Sequence, residues 1–218
     1  MVSTRTIFWE VDTQRDFMLP GGALYVPGAE KLIPNLDRLA EVARENRVFL
    51  ISSADAHSPG DPELRQWPPH CLKGSAGARI LPECLTERRL VIPNDASFAL
   101  PGDLRPYQQV TLEKSTLDVF DNPHTDALLA RIGPAGLPAF GADPLFVVFG
   151  VVTEHCVQCA VEGLLHRGRR IAVVSDAIEA LDAKKAAQLL DGWQSRGVRL
   201  ITANQALSLA ASSLAQYA

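Results

Sequence analysis

Leu145-Phe146-Val147-Val148-Phe149-Gly150-Val151-Val152-Thr153-Glu154-His155-Cys156 is the stretch that decides the fold. An apolar run of strand length that gives way to a polar turn and then to a helical period marks a buried strand handing over to a helix. Residues 145–150 read as the strand and 154–167 as the helix. Further strands are expected near 7–11, 48–53, 109–112, 171–174 and 198–201, with helices at 30–46, 123–132, 183–196 and 204–216. Within 30–46, Leu32, Ile33, Leu36, Leu39, Ala40 and Ala43 recur at i, i+3, i+4 and i+7, which gives one apolar helical face. Strands alternating with helices form βαβ units that feed a parallel sheet. The expected fold is α/β, a three-layer αβα sandwich around a central, mostly parallel sheet.

Composition narrows the classes of function. At 218 residues a single domain spanning 1–218 is expected. Hydrophobic residues at 47% and charged residues at 21% place the chain with folded proteins rather than disordered ones. A net charge of -4, with no cluster of five or more Lys/Arg, offers no field for a phosphate backbone, so nucleic acid is not an expected partner. The first residues show no signal-peptide core, and no run reaches the roughly 20 apolar residues of a spanning helix. A cytoplasmic protein without membrane contact is therefore expected, and its four cysteines read as free thiols. A homo-oligomer is the expected assembly.

Two segments break the alternation. Residues 54–106 are rich in Pro and Gly and carry no trustworthy helical period, and so long an irregular segment inside a compact domain is usually functional. Residues 133–143 read as a surface loop, because strands continue on both sides.

Ligands of open α/β sheets bind beyond the carboxyl ends of the strands. The polar residues there are Asp12, Asp55 and His57, Lys114, and the Thr153–Cys156 turn. Cys156 falls in the first turn of its helix, where the helix dipole and unpaired amides favour a thiolate. The local sequence suits a small buried thiol equally well, and Cys156-Val157-Gln158-Cys159 also has the spacing of a redox pair. Asp12 and Lys114 alter that balance, since a base and a cation beside a cysteine are what amide hydrolysis requires. Asp55-Ala56-His57 and Trp67-Pro68-Pro69-His70 bring a carboxylate and two imidazoles, a donor set suited to Zn²⁺, Fe²⁺ or Mn²⁺. Glu63 is a further direct or water-mediated ligand candidate.

Three motifs in order resemble a known family. Val11-Asp12-Thr13-Gln14-Arg15-Asp16-Phe17 with Gly21-Gly22-Ala23-Leu24 resembles the opening motif of nicotinamidases and the wider isochorismatase-like hydrolases. Asp55-Ala56-His57 with Trp67-Pro68-Pro69-His70-Cys71 and Gly74 resembles the nicotinamidase metal loop, and residues 150–157 resemble the nucleophile turn. The resemblance implies Asp12 as general base, Lys114 as thiolate partner, Cys156 as nucleophile, and Asp55, His57 and His70 as ligands of one divalent metal ion. It also implies a cis peptide at Val151–Val152 and an oxyanion hole from the Val152 and Cys156 amides. Phe17 and Trp67 become aromatic walls for a flat ring, with Phe120 added to the pocket candidates. Two departures stand out: Ser115–Pro123 replaces the tract usual after the lysine, and Glu154 stands where Asp is more usual.

The expected reaction is hydrolysis of a small carboxamide, nicotinamide by preference, through a cysteine thioester. A metal-independent relative acting on N-carbamoyl or ureido compounds would share the triad but need no metal ligands. An isochorismatase-type vinyl-ether hydrolase would lack the cysteine. A thiol-disulfide oxidoreductase built on Cys156 and Cys159, or a non-catalytic metal-binding protein, leaves Asp12 and Lys114 without a role.

Overall fold

The computed structural model describes residues 6–132 and 144–214. Its strands are β1 (Thr6–Val11), β2 (Phe49–Asp55), β3 (Arg89–Ile92), β4 (Gln109–Lys114), β5 (Leu145–Val151), β6 (Arg170–Glu179) and β7 (Arg199–Ile201). They form one sheet in the order β3-β4-β2-β1-β5-β6-β7. Every neighbouring pair is parallel.

The helices are α1 (Arg15–Met18), α2 (Ile33–Arg44), α3 (Thr125–Ile132), α4 (Gln158–His166), α5 (Ala183–Ser195) and α6 (Ala203–Leu214). Strand alternation explains the layers, because successive side chains point to opposite faces. On β1, Phe8 joins the core beneath α2 and α6. Ile7, Trp9 and Val11 join the one beneath α3, α4 and α5. None of the described helices is long and apolar enough to cross a membrane.

Several differences from the sequence reading stand out. The irregular segment 54–106 contains an edge strand, β3, of only four residues, of which Arg89 and Val91 are exposed. So short and half-exposed a strand leaves no apolar run to read. The helix after β5 opens as a π turn, Thr153–Val157, before α4 begins. The helix expected from residue 30 opens as a 3-10 turn, Ala29–Leu32, that leads into α2. The helix expected from residue 123 starts at Thr125, because Asn122 Oδ1 accepts from the His124 amide and closes a turn first. The loop expected at 133–143, and the last residues of the helix expected to reach 216, lie outside the described residues.

Because all seven strands run the same way, their carboxyl ends share one edge. The chain moves from β1 to β2 on one side, while β5 enters on the other. That reversal of direction opens a crevice beyond β1, the usual place for a ligand.

Candidate active site and metal centre

β1 ends at Val11, and Asp12 turns the chain at φ 50. Its Oδ1 accepts from Ser53 Oγ at 2.6 Å. Lys114, the last residue of β4, is fully buried, which for a lysine requires charged partners. Its Nζ lies 2.9 Å from Asp12 Oδ2 and also pairs with Asp55 Oδ1. The same Nζ lies 3.4 Å from Cys156 Sγ. Residues 12, 55, 114 and 156, drawn from four strand ends, thus share one buried point. The Val151–Val152 peptide just before the π turn is cis.

The electrostatics differ from the reading of a preformed thiolate. Burial pushes the Cys156 thiol well above its ordinary range; Lys114 pulls it down, while Asp12 and Asp55 push it further up. Two carboxylates and an apolar pocket outweigh one ammonium, so the resting group is the thiol. Burial also raises Asp12, against the pull of Lys114 and with the help of Asp55. Asp55 goes the other way: burial opposes its charge, but Lys114 and the two imidazoles hold it well below the usual carboxylate range. For Lys114 burial is outweighed by Asp12 and Asp55, which keep the ammonium charged. A thiol beside a carboxylate of raised basicity is the arrangement in which attack and proton removal occur together.

Beside this cluster lies a second one. One donor atom each from Asp55, His57, Glu63 and His70 lie within 4.8 Å of one another. Asp55 Oδ2 is 3.7 Å from His57 Nε2 and 3.5 Å from His70 Nε2. Glu63 Oε1 is 4.0 Å from the first imidazole and 3.9 Å from the second. The far nitrogen of each ring is already engaged: His57 Nδ1 with Asp61 Oδ2 at 3.2 Å, and His70 Nδ1 with the Pro68 carbonyl at 2.7 Å. Ligating histidines are oriented in this way, with the second nitrogen fixed so that Nε2 is presented. Asp55 Oδ2 and His57 Nε2 are buried without a hydrogen-bond partner. Orphaned donor atoms facing a common centre fit a divalent ion and are otherwise costly.

An open cavity of about 360 Å³, including its mouth, connects both clusters. Phe17, Trp67, Leu117, Val152, His155 and Leu181 line it together with Cys156, Asp55, Glu63 and His70. Phe17 leans on His70, ring centroids 5.3 Å apart, and Trp67 meets His155 edge-on at 5.4 Å.

Phe120 is not part of this cavity, which corrects its assignment to the pocket. It stacks on Trp9 at 6.0 Å beneath the Arg167 guanidinium, in the space left by Gly163, where a Cβ would come within 2.0 Å of the ring. Cys159 is a half-buried free thiol that burial raises to about 11. A redox Cys-x-x-Cys needs a thiol of lowered pKa, and here both are raised.

Several contributors went unassigned from sequence. His155 and Leu117 stood within quoted stretches without a role. Glu154 Oε1 accepts from the Leu181 and Asp182 amides at 2.9 and 2.6 Å, so the turn that carries Cys156 also holds Leu181 at the cavity mouth. The usual Asp there is one methylene shorter, and that difference was the available signal.

The model of the isochorismatase domain matches residues 7–92 and 86–205. A curated relative, the nicotinamidase/pyrazinamidase of Mycobacterium tuberculosis, is 28% identical over 198 residues, covering 88% of this chain and 95% of that protein. The nicotinamidase of Escherichia coli is 24% identical, covering 79% of this chain and 82% of that one. The pyrazinamidase of Pyrococcus horikoshii, solved in complex with zinc, superposes with a TM-score of 0.69 at 22% identity, covering 91% of this chain and 99% of that one. The N-carbamoylsarcosine amidase of Thermoplasma acidophilum superposes as well, with a TM-score of 0.68 at 24% identity, covering 92% and 97%. With its family model spanning most of the sequence from β1 to α6, this chain belongs to the isochorismatase domain family.

Proposed function

We propose that this protein is a cysteine amidohydrolase that converts nicotinamide, or a carboxamide of similar size and aromatic character, to the acid and ammonia. One observation carries the reading: Asp55 joins the Asp12–Lys114–Cys156 cluster to the His57–Glu63–His70 cluster inside a single small cavity. Its curated relatives named nicotinamidase support the substrate class. Fold alone does not separate this from the ureido-type alternative, since an N-carbamoylsarcosine amidase superposes equally well. The oriented imidazoles favour the nicotinamidase reading, because a metal-free amidase leaves them without work.

Phe17 and Trp67 hold the ring between the cavity walls. As Cys156 Sγ forms its bond to the carboxamide carbon, Asp12 takes the thiol proton. Lys114 stays charged beside both, and the Val152 and Cys156 amides receive the oxyanion. Asp12 then gives the proton to the amide nitrogen, the C–N bond breaks and ammonia leaves a thioester. Asp12 next deprotonates a water that attacks the thioester, the C–S bond breaks, and the proton returns to sulfur. Asp55, His57 and His70, with Glu63, would hold a zinc, iron or manganese ion; when bound, it supplies a Lewis-acid anchor for the ring nitrogen or for a water.

A cytoplasmic setting suits four unpaired cysteines. The deciding experiment is ammonia release from a panel of amides with and without a chelator. Nicotinamide turnover that a chelator suppresses and added metal restores is the expected result. Full nicotinamide activity in metal-free protein, or turnover of ureido compounds alone, overturns the assignment.

A further inference from the structure

The segment Asp12-Thr13-Gln14-Arg15-Asp16 gives Asp12 a catalytic role and leaves Gln14 and Asp16 with none. Gln14 has no exposed surface, and its carboxamide faces Asp55 across 41 residues of chain. Its Oε1 accepts from the Asp55 amide at 2.7 Å. Its Nε2 donates to the Asp55 carbonyl at 2.7 Å and to the Ala78 carbonyl at 2.8 Å.

Strand pairing explains the need. β2 keeps its β4 partner to the end, Asp55 opposite Lys114, whereas its pairing with β1 stops at Val11 opposite Ser53. Asp55 therefore reaches the metal cluster with one edge of its backbone unpartnered. The Gln14 side chain offers a donor and an acceptor in the arrangement of a neighbouring strand, and so replaces the missing one.

Asp16 does the same for the other side of the cluster. Its Oδ2 accepts from the Cys71 amide at 2.7 Å, and its Oδ1 from the Ala23 amide at 3.0 Å. Cys71 follows His70 directly and sits at φ 44, a conformation that needs holding in place. The Asp16 amide in turn donates to the Gly77 carbonyl at 3.0 Å, and a Cβ at Gly77 would fall within 2.2 Å of the Asp16 carboxylate.

We propose that Gln14 and Asp16 are positioning residues of the metal centre: Gln14 sets Asp55 and Asp16 sets His70 before an ion arrives. This rests on the metal part of the reading above and goes beyond it by assigning the preorganisation to two side chains that touch neither ion nor substrate. Partners one step removed from a metal typically carry ~10–100-fold in affinity.

The test is Co²⁺ binding to the metal-stripped full chain, by competition with a chromophoric chelator, together with the visible spectrum of the bound ion and the melting temperature of the metal-free protein. Gln14→Ala and Asp16→Ala are expected to lose ~10–100-fold in Co²⁺ affinity and to alter the Co²⁺ absorption bands. Asp16→Asn, which keeps an acceptor for the Cys71 amide, is expected to recover most of that loss. Asp16 is half exposed, so its variants test the idea even if Gln14→Ala does not fold. Folded variants with wild-type affinity and an unchanged spectrum overturn the proposal and leave the metal reading standing. A wild-type chain that takes up no Co²⁺ overturns both.

Discussion

Glu10 and Asp12 stand two residues apart at the end of β1, both with no exposed surface, and their surroundings could hardly differ more. Glu10 meets neutral groups: Ser52 Oγ donates to it at 2.8 Å, with Cys84 and Thr13 alongside. Burial lifts its carboxyl from the ordinary 4.5 to about 7, against these hydrogen bonds and a weaker pull from Arg44. Asp12 shares its pocket with a second carboxylate, an ammonium and a thiol. There burial provides the same upward push, and the cation decides which acid escapes it. Asp55 is held ionised, while Asp12 stays raised and therefore basic enough to take a proton. In the proposed reaction Asp12 is the acid of this pair left free to take up a proton, while Asp55 is held ionised by Lys114 and the two imidazoles.

Removing the thiol gives the largest expected effect. Cys156→Ala should lower amide turnover at least about a hundredfold without unfolding the chain, since general acid–base help alone is worth ~10²–10⁴. Ammonia release measures it, with Cys159→Ala expected to stay active as the control. An equal loss in both variants would restore the redox-pair reading.

Removing the cation turns the catalytic cluster into a worse version of the Glu10 pocket. Lys114→Met leaves Asp12 and Asp55 buried together without compensation, which should cost about 3–5 kcal/mol. For a chain of this length that is a fall of roughly 10 °C in the melting temperature of metal-free protein. An unchanged melting temperature would mean that the two acids do not both depend on Lys114.

Removing an imidazole tests the other side of Asp55. His70→Ala should release metal and raise KM for nicotinamide by at least the ~10–100-fold that even outer partners carry, with a much smaller change for benzamide, which lacks the ring nitrogen. Equal changes in both KM values would detach the ring nitrogen from the ion.

The sequence disclosed strand-end residues best. Asp12, Asp55, Lys114 and the Cys156 turn each follow an apolar run whose end is visible, and parallel topology brings such ends together. His70 was legible through its two prolines. Phe120 was misplaced because closeness to Lys114 in sequence stood in for closeness in space; the 3-10 turn Val119–Asp121 carries it onto Trp9 and beneath Arg167. Gln14 and Asp16 were visible as motif letters but not as roles, for their partners lie 41 and 55 residues away. The upward push on the Cys156 thiol was equally hidden, since it comes first from burial and then from charges on three other strands.

The last expected effect belongs to Glu10, and it isolates burial from the chemistry of the cluster beside it. A carboxyl raised by folding binds its proton more tightly in the native state than in the unfolded chain. Its stabilisation is therefore complete below about pH 4.5 and is lost as pH rises to about 7. Glu10→Gln removes that titration while keeping a hydrogen-bonding group of the same length. The variant should gain on the wild type between pH 5 and pH 8, approaching about 3 kcal/mol at the alkaline end, the free energy that separates the two values. Urea denaturation at pH 5, 6, 7 and 8 reads it directly, with metal removed so that the neighbouring cluster contributes equally to both proteins. A stability difference that stays flat across that range would show Glu10 ionised throughout, and the contrast with Asp12 would then rest on something other than the absence of a cation.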